Sequence, residues 1–301
     1  TAIELKESGN YYIHSDWSEE ENFFHFYCGT LGAGHGHSDK LHIDLYANGE
    51  DILVDSGRYT YVHKPERYEF KDPSGHNTIT VDGKDFIVCK DSWECTKLAR
   101  SLNQKMVESD EYVYLEGGHL GYYDLENGGV FVNRRIVYIK PDIYVLVDEF
   151  YGNTEHEYNQ YFHFNNEGEV IKNSELTAKY ISEKNDVDVK FVANNLNLEV
   201  IDTRYSKHYN DCIDNKTVKT TLQGDGFASI ITVISTNKKG ETENLEVEKL
   251  EVKSNFKEII FEDKLIEAVN ITKGDKKYTL VIAHQDYASP TDSFNADGCI
   301  G

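Results

Sequence analysis

The sequence predicts an all-β fold, a large antiparallel β-sandwich of several sheets, or super-sandwich. Strand-like runs rich in Val, Ile, Tyr and Phe recur along the 301 residues, and no stretch shows a capped helical stripe. Many short strands at close spacing favour stacked antiparallel sheets over a parallel α/β fold. Tight-turn pairs of Asn or Asp before Gly separate several of the runs, at Asn48-Gly49, Asp82-Gly83 and Asn127-Gly128.

The predicted strands form two sets along the chain, all within one sandwich region, 1–301. The first set comprises Leu41–Tyr46, Asp51–Val54, Thr78–Val81, Glu111–Leu115, Val130–Ile139 and Ile143–Phe150. The second comprises Leu196–Val200, Ala228–Ile234, Leu245–Val252, Ile259–Phe261 and Thr279–Ile282. The segment 183–219 is mostly polar and charged, so we expect it to be irregular. It would then mark a loop-rich boundary between two stacked sub-sandwiches.

The charge balance argues against some partners and constrains others. Lys and Arg total 31 against 53 Asp and Glu, giving a formal net charge of -22 and arguing against nucleic acid. An anionic polysaccharide would need a local basic patch or a metal ion to overcome this field. No run of about 20 apolar residues predicts a membrane span. We expect a secreted, cell-envelope or periplasmic protein whose signal segment lies outside this chain.

The cysteines predict neither a disulfide framework nor a cysteine zinc site. There are five of them, an odd number without a CxxC pair. We therefore expect buried free thiols, which pack as small apolar side chains. The five positions are Cys28, Cys89, Cys95, Cys212 and Cys299.

Candidate chemistry concentrates in the first third of the chain. His37, Asp55 and His76 offer two imidazoles and one carboxylate, a ligand set that suits zinc and leaves one position for water. Their spacing matches no short zinc motif, so polar residues satisfied within a sheet are the alternative. His35 and His37 are two residues apart, so in an extended segment both point to the same side. One could then bind a metal while the other faces a ligand.

Three blocks in this region resemble the heparinase II/III family of polysaccharide lyases. They are HGHSD at 35–39, ILVDSGRYTY at 52–61 and HNTITVDG at 76–83, in the order and polarity of that family's sandwich domain. The resemblance is strong over 17–86 and weaker over 130–164. It implies that His37, Asp55 and His76 hold a zinc ion, and that His35 is the active-site histidine of this half. Asp39 would orient a ligand imidazole.

The same resemblance implies β-elimination at a uronic acid, which needs a base, an acid and neutralisation of the carboxylate. Zinc would then be structural, because no water needs activation. The catalytic tyrosine of relatives lies on an N-terminal helical toroid, and these 301 residues show no such domain. We therefore expect this chain to be the C-terminal part of the lyase and inactive alone. Its partners would be the helical domain and an anionic glycan of the heparan sulfate or alginate kind.

Basic residues near the third block are candidates for binding an acidic sugar. Arg58, Lys64, Arg67 and Lys71 form the densest cluster, and arginine can grip a carboxylate or sulfate with two hydrogen bonds. The candidate substrate-binding residues are Arg58, Arg67 and Tyr68; solvated loop charges are the alternative.

Two further interpretations concern polar residues outside the cluster. Arg134 and Arg135 are interpreted as ordinary strand residues, and the other histidines, His42 among them, as packing residues. His163 differs because a polar residue among aromatics needs a hydrogen-bond partner.

Two alternative functions fit the same residues. One is a carbohydrate-binding or structural β-sandwich that carries no activity. The other is a zinc-dependent hydrolase, since two histidines and an aspartate also suit a zinc-bound water. The lyase interpretation alone predicts a product with a new double bond that absorbs in the ultraviolet.

Overall fold

The computed structural model describes residues 1–31, 34–241, 243–253 and 260–285, and the backbone of 289–290 and 295–296. The chain divides into two compact units, Thr1–Gly240 and Glu241–Gly301. In the described residues the helices are single turns, α1 (Pro65–Glu69) and a 3-10 turn (Pro73–Gly75). None of the helices there is long and apolar enough to cross a membrane. The predicted all-β fold is confirmed.

The first sheet contains five antiparallel strands in chain order. They are β1 (Ala2–Leu5), β2 (Asn10–His14), β3 (Phe23–Tyr27), β4 (His42–Ala47) and β5 (Glu50–Leu53). Alternate residues face the core: Phe24 and Phe26 of β3 are buried, whereas His25 between them is partly exposed. This period of two is what a strand with one solvated face requires.

The second sheet contains ten strands. It begins with β6 (Ile79–Val81), after which a separate short hairpin, β7 (Val88–Cys89) and β8 (Cys95–Lys97), precedes the remaining strands. Those are β9 (Ser101–Glu108), β10 (Tyr112–Tyr122), β11 (Val130–Ile139), β12 (Ile143–His163), β13 (Glu169–Ser174), β14 (Thr177–Ile181), β15 (Asn185–Val192), β16 (Asn197–Tyr205) and β17 (Ile213–Lys238).

Two long strands form the centre of this sheet. β12 and β17 pair antiparallel, with Ile143 opposite Ser235 at one end and His163 opposite Thr217 at the other. The first part of β12 also pairs with β11 and its last part with β6. β17 likewise pairs with β16 early and with β15 late. These two strands therefore pair directly with four other strands of the sheet, β6, β11, β15 and β16.

The main core of the first unit lies between its two sheets. Phe24 of β3 stacks on Tyr144 of β12 at a centroid distance of 5.1 Å, and Tyr144 stacks on Tyr138 of β11 at 4.7 Å. β10 approaches the first sheet closely at Gly117, where an added Cβ would lie only 2.8 Å from Cys28 Sγ. Glycine is required there, since any side chain would push the sheets apart.

The second unit is smaller. Its three-stranded sheet contains β18 (Leu245–Leu250), β19 (Ile266–Lys273) and β20 (Lys276–Ala283), and β21 (Ser289–Pro290) pairs with β22 (Asn295–Ala296). Ile266, Val281 and Val252 are buried in a core of its own. The predicted strand 259–261 begins at a residue outside the described part of the chain.

Two expectations from the sequence are wrong. The segment 183–219 is not loop-rich, because β15, β16 and the start of β17 occupy most of it, and the two units divide after Gly240. Its polar composition reflects strands with exposed faces, such as β16, in which Glu199 points to solvent. Cys89 and Cys95 form a disulfide across the β7–β8 hairpin. Cys28 is a buried free thiol whose pKa burial raises to about 11, and Cys299 lies outside the described residues.

Candidate functional site

The three candidate metal ligands lie on connections that meet at one edge of the first sheet. His37 follows β3, Asp55 follows β5, and His76 lies between the 3-10 turn and β6. β3 and β5 each pair antiparallel with β4, so they run in the same direction and their C-terminal ends reach the same edge. This pairing accounts for the proximity of His37 and Asp55, and the connection before β6, a strand of the second sheet, adds His76.

One donor atom from each of these residues lies within 4.8 Å of the others. His76 Nδ1 lies 2.7 Å from Asp55 Oδ2, and the rings of His37 and His76 are 5.3 Å apart. Asp55 Oδ1 accepts a hydrogen bond from the Gly57 amide at 2.7 Å. Gly57 has a φ of +90°, and a Cβ there would lie 2.0 Å from Ser206 O. Only glycine fits this turn, which fixes the direction of the Asp55 carboxylate.

The protonation states of the three side chains bear on whether they can bind a cation. Burial and the neighbouring His76 lower the pKa of His37 to about 3, so its imidazole is neutral and able to donate a lone pair. Burial opposes ionisation of Asp55, but His76 lowers the pKa of that carboxyl well below its usual value. Burial likewise opposes protonation of His76, yet the Asp55 carboxylate raises its pKa overall. An ionised aspartate beside the partly buried His37 and the buried His76 is a suitable donor set for zinc once His76 gives up its proton.

A further observation tests whether a metal fits. The Nε2 atom of His76 is buried and has no hydrogen-bond partner among the described residues, and a bound ion would satisfy such an atom. Ligands of a tetrahedral zinc with bonds of about 2.0 Å are separated by about 3.3 Å. The three donors lie within 4.8 Å of one another, so shifts of at most about 1.5 Å, within the reach of side-chain rotation, would bring them to that separation, and the residues fit the ion.

A second layer of polar residues holds the ligands. His42 Nε2 lies 3.0 Å from Asp44 Oδ1 and 3.9 Å from Asp55 Oδ2, and its Nδ1 accepts a hydrogen bond from the Asn77 amide at 3.0 Å. Because the Nδ1 lone pair accepts this bond, a proton on the ring sits at Nε2, facing the carboxylates. Burial disfavours a charged His42 whereas Asp44 raises its pKa, and the hydrogen bond accepted at Nδ1 belongs to the neutral ring, whose one proton lies at Nε2. The sequence assigned His42 only a packing role.

A buried ion pair connects this edge to the second sheet. Arg134 of β11 donates through Nε and Nη2 to the two carboxylate oxygens of Asp148 on β12, at 2.6 and 2.8 Å. Its Nη1 donates to Leu41 O at 2.6 Å and to Asn77 O at 2.9 Å. Both side chains are fully buried. Arg134, interpreted as an ordinary strand residue, therefore anchors the backbone next to His76.

His163 has the partners that its apolar surroundings require. Its Nε2 lies 3.0 Å from Ser74 O, and its Nδ1 lies 2.9 Å from Thr217 Oγ1. Burial lowers its pKa to about 4. It thus ties the 3-10 turn that precedes His76 to the two central strands.

A more open group of residues lies beside the metal cluster. His35 is exposed, and its Nδ1 lies 3.0 Å from the hydroxyl of Tyr61. Arg58 donates to the same hydroxyl at 3.0 Å. Arg67 is buried, donates to His37 Nε2 at 3.1 Å and lies 5.2 Å from the Tyr61 ring centroid. This group, His35, Arg58, Tyr61 and Arg67, is called the cleft cluster below.

The other predicted basic and aromatic residues have separate partners. The Tyr68 hydroxyl forms a hydrogen bond with His63 Nδ1 at 2.8 Å. Lys71 is buried and donates to Gly36 O at 2.7 Å, so it shapes the loop that carries His37. Lys64 lies 5.2 Å from the ring centroid of Tyr59. Of the predicted basic residues, Arg58 and Arg67 are the ones that the structure places against Tyr61, the hydrogen-bond partner of His35.

The fold and the site together define a class: an antiparallel β-sandwich with a candidate His-Asp-His metal centre beside a group of histidine, tyrosine and arginine side chains. The chain matches the family described as heparinase II/III-like, C-terminal, over residues 2–254. It therefore belongs to that family, as the resemblance predicted.

Similar proteins support the same assignment. A heparin-sulfate lyase of Bacteroides thetaiotaomicron is 29% identical over 168 residues, which are 53% of this chain and 22% of that protein. The crystal structure of a heparan sulfate lyase from Pedobacter heparinus has a TM-score of 0.77 at 15% identity, covering 95% of this chain and 43% of that one. A heparinase III structure has a TM-score of 0.73 at 19% identity, covering 94% and 42%. The two structures confirm the sandwich fold, and the chain spans less than half the length of these relatives.

Proposed function

We propose that this chain is the C-terminal sandwich of a polysaccharide lyase that cleaves uronic-acid-containing glycans by β-elimination. The cleft cluster carries the proposal: an exposed imidazole lies within hydrogen-bond distance of a tyrosine hydroxyl, next to two guanidinium groups. Family membership supports it independently. A glycan of the heparan sulfate or alginate kind is the proposed substrate.

The reaction removes the proton at C5 of the uronate and expels the glycosidic oxygen from C4, leaving a double bond between the two carbons. Negative charge develops on the carboxylate as the proton leaves, so the site needs cations there. Arg58, which is exposed, would bind that carboxylate. His35 would exchange a proton with the substrate, since its imidazole is exposed and oriented by Tyr61. The partner acid or base would come from the N-terminal helical domain.

His37, Asp55 and His76 would hold a zinc ion with a structural role. Bound zinc would supply positive charge and fix the three connections to one another. Arg67 would link the metal ligands to the cleft cluster, because it contacts His37 and also lies over the Tyr61 ring. A stable metal cluster would therefore hold Tyr61 and, through it, His35.

Elemental analysis tests the zinc proposal. We expect about one zinc per chain in protein purified without chelator, and loss of that zinc in His37→Ala and in Asp55→Ala. His208→Ala is the matched control, because His208 is exposed and lies outside the cluster. Metal that survives in both cluster variants, or is missing from the parent protein, would overturn the assignment.

The activity is tested in a preparation that also contains the proposed helical domain. With uronate polysaccharide we expect an ultraviolet-absorbing product, which His35→Ala reduces at least a hundredfold. The 301-residue chain alone should give none. New reducing ends without ultraviolet absorbance would instead indicate the zinc-dependent hydrolase. Retention of glycan without cleavage would indicate the binding sandwich.

A further inference from the structure

Three aromatic rings form a stacked row beside His35. Tyr61 stacks on Trp93 at a centroid distance of 5.2 Å and an interplanar angle of 18°, and on Tyr209 at 5.8 Å and 27°. Trp93 is 54% exposed and Tyr209 is 47% exposed. Exposed apolar side chains that form a contiguous patch, rather than lying singly, often mark a binding site. The row therefore offers apolar ring surface at the entrance to the cleft cluster.

Trp93 is held in place rather than left free on its loop. It lies in the β7–β8 hairpin, which the Cys89–Cys95 disulfide closes. Asp91 Oδ1 accepts a hydrogen bond from the backbone amide of Trp93 at 2.8 Å, which fixes the turn. The Trp93 ring lies against Gly34, where an added Cβ would be 3.1 Å from it, and against the edge of His35 at 5.5 Å. Trp93 is thus packed directly against the proposed catalytic histidine.

The row is flanked by positive charge in a chain of net charge -22. The guanidinium carbon of Arg58 lies 5.4 Å from the ring centroid of Tyr61 and 5.8 Å from that of Tyr209. Arg67 is completely buried, and its Nε and Nη2 atoms have no hydrogen-bond partner among the described residues. Arg67 therefore adds positive charge from below the surface, while the exposed Arg58 guanidinium beside exposed aromatic rings matches a ligand that has both apolar faces and an anionic group.

We propose that Trp93, Tyr61 and Tyr209 form a stacking subsite for an acidic oligosaccharide. The C–H face of a sugar ring would lie on an exposed aromatic face, as amphipathic ligands do on such rings. Arg58 would bind the carboxylate or sulfate of the same sugar. The subsite would fix the register of the glycan next to His35. The choice of a uronate-containing ligand rests on the proposed function, but the stacking geometry does not.

Tryptophan fluorescence tests the subsite directly. The chain has two tryptophans, so Trp17→Phe, at an exposed position away from the row, leaves Trp93 as the sole tryptophan reporter. We expect saturable quenching or a spectral shift when this variant is titrated with heparan-sulfate-type or alginate-type oligosaccharides. Tyr209→Ala or Arg58→Met in the same background should weaken binding about tenfold or more. Tyr123→Ala is the matched control, because Tyr123 is 65% exposed outside the row.

Each outcome decides the proposal. No change in Trp93 fluorescence with any acidic oligosaccharide at millimolar concentration, or equal affinity in Tyr209→Ala, would overturn it. Equal response to a neutral oligosaccharide of the same length would overturn the anionic ligand class. Because binding is measured without turnover, a Trp93 response in a protein without lyase activity would keep the subsite and refute the proposed function. Lyase activity without a change in Trp93 fluorescence would refute the subsite and keep the proposed function.

Discussion

Replacing Arg134 with methionine should be among the most damaging single changes in the first unit. Methionine approximates the length of the arginine stem but removes the charge and all donors. The variant loses two hydrogen bonds to Asp148 and two to backbone carbonyls of Leu41 and Asn77. The Asp148 carboxylate stays fully buried, with Gln160 as a remaining donor at 2.5 Å.

The magnitude follows from what remains unpaired. Removing one partner of a buried ion pair costs about 3–5 kcal/mol, mostly because the other charge is left in a poor environment. Each orphaned carbonyl adds roughly 1 kcal/mol, in part overlapping with that cost. We expect a loss of about 5 kcal/mol in the free energy of unfolding. That loss is comparable to the whole stability of many domains, roughly 5–15 kcal/mol.

Urea unfolding followed by circular dichroism measures this change. Arg100→Met is the matched control, because Arg100 is exposed, and it should cost less than about 0.5 kcal/mol. The double variant Arg134→Met with Asp148→Leu should be more stable than Arg134→Met alone, since no buried charge remains. A loss below about 1 kcal/mol in Arg134→Met, or a double variant that is less stable than the single one, would refute the reasoning.

Three further predictions concern pH, metal affinity and backbone geometry. Burial lowers the pKa of His119 from 6.5 to about 3, so its stabilising effect is present above pH 6.5 and is lost as the pH falls toward 3. Between pH 8 and pH 5 this residue should account for a loss of about 2 kcal/mol, which His119→Asn abolishes in urea unfolding at the two pH values. Arg67→Met should strengthen zinc binding at least about tenfold in competition with a chelator, because it removes a cation 3.1 Å from His37 Nε2. Gly57→Ala should lower the free energy of unfolding by about 2–3 kcal/mol and also lower the zinc content, since the added Cβ would collide with Ser206 O.

Opposite results would identify the faulty step. An equal loss of stability between pH 8 and pH 5 in parent and His119→Asn would show that His119 does not titrate as a buried imidazole. Unchanged or weaker zinc binding in Arg67→Met would mean that the guanidinium does not compete with the metal. A stable Gly57→Ala variant with full zinc content would show that the turn can rearrange.

The strands and the motif blocks could be predicted from the sequence because they depend on local spacing. A period of two in Phe23–Tyr27 and the apolar run before Asp55 report burial on one face or both, whatever the partner strand is. The order of three polar blocks was enough to predict the family, which the match over 2–254 confirms. The prediction for 183–219 failed because exposed strands and loops share a polar composition.

The residues that support the site needed the tertiary structure. Nothing local distinguishes Arg134 from Arg135, and only the pairing of β11 with β12 places Arg134 opposite Asp148 in the buried interior. The signal that could have found the pair is Asp148 itself, an acid inside the apolar run of β12, which requires a buried cation. The hairpin that carries Trp93 is a similar case. The sequence predicted neither its disulfide nor the contact of Trp93 with Tyr61.

By itself the sequence determined the class of fold and the family and predicted the candidate metal ligands, because each rests on residue types in a fixed order. The tertiary structure decided which side chains share space. It brought His37, Asp55 and His76 within 4.8 Å of one another, set Arg58 and Arg67 around Tyr61 and stacked Trp93 beside His35. Strand direction and register determine such contacts, and these depend on the packing of the whole chain rather than on any local segment.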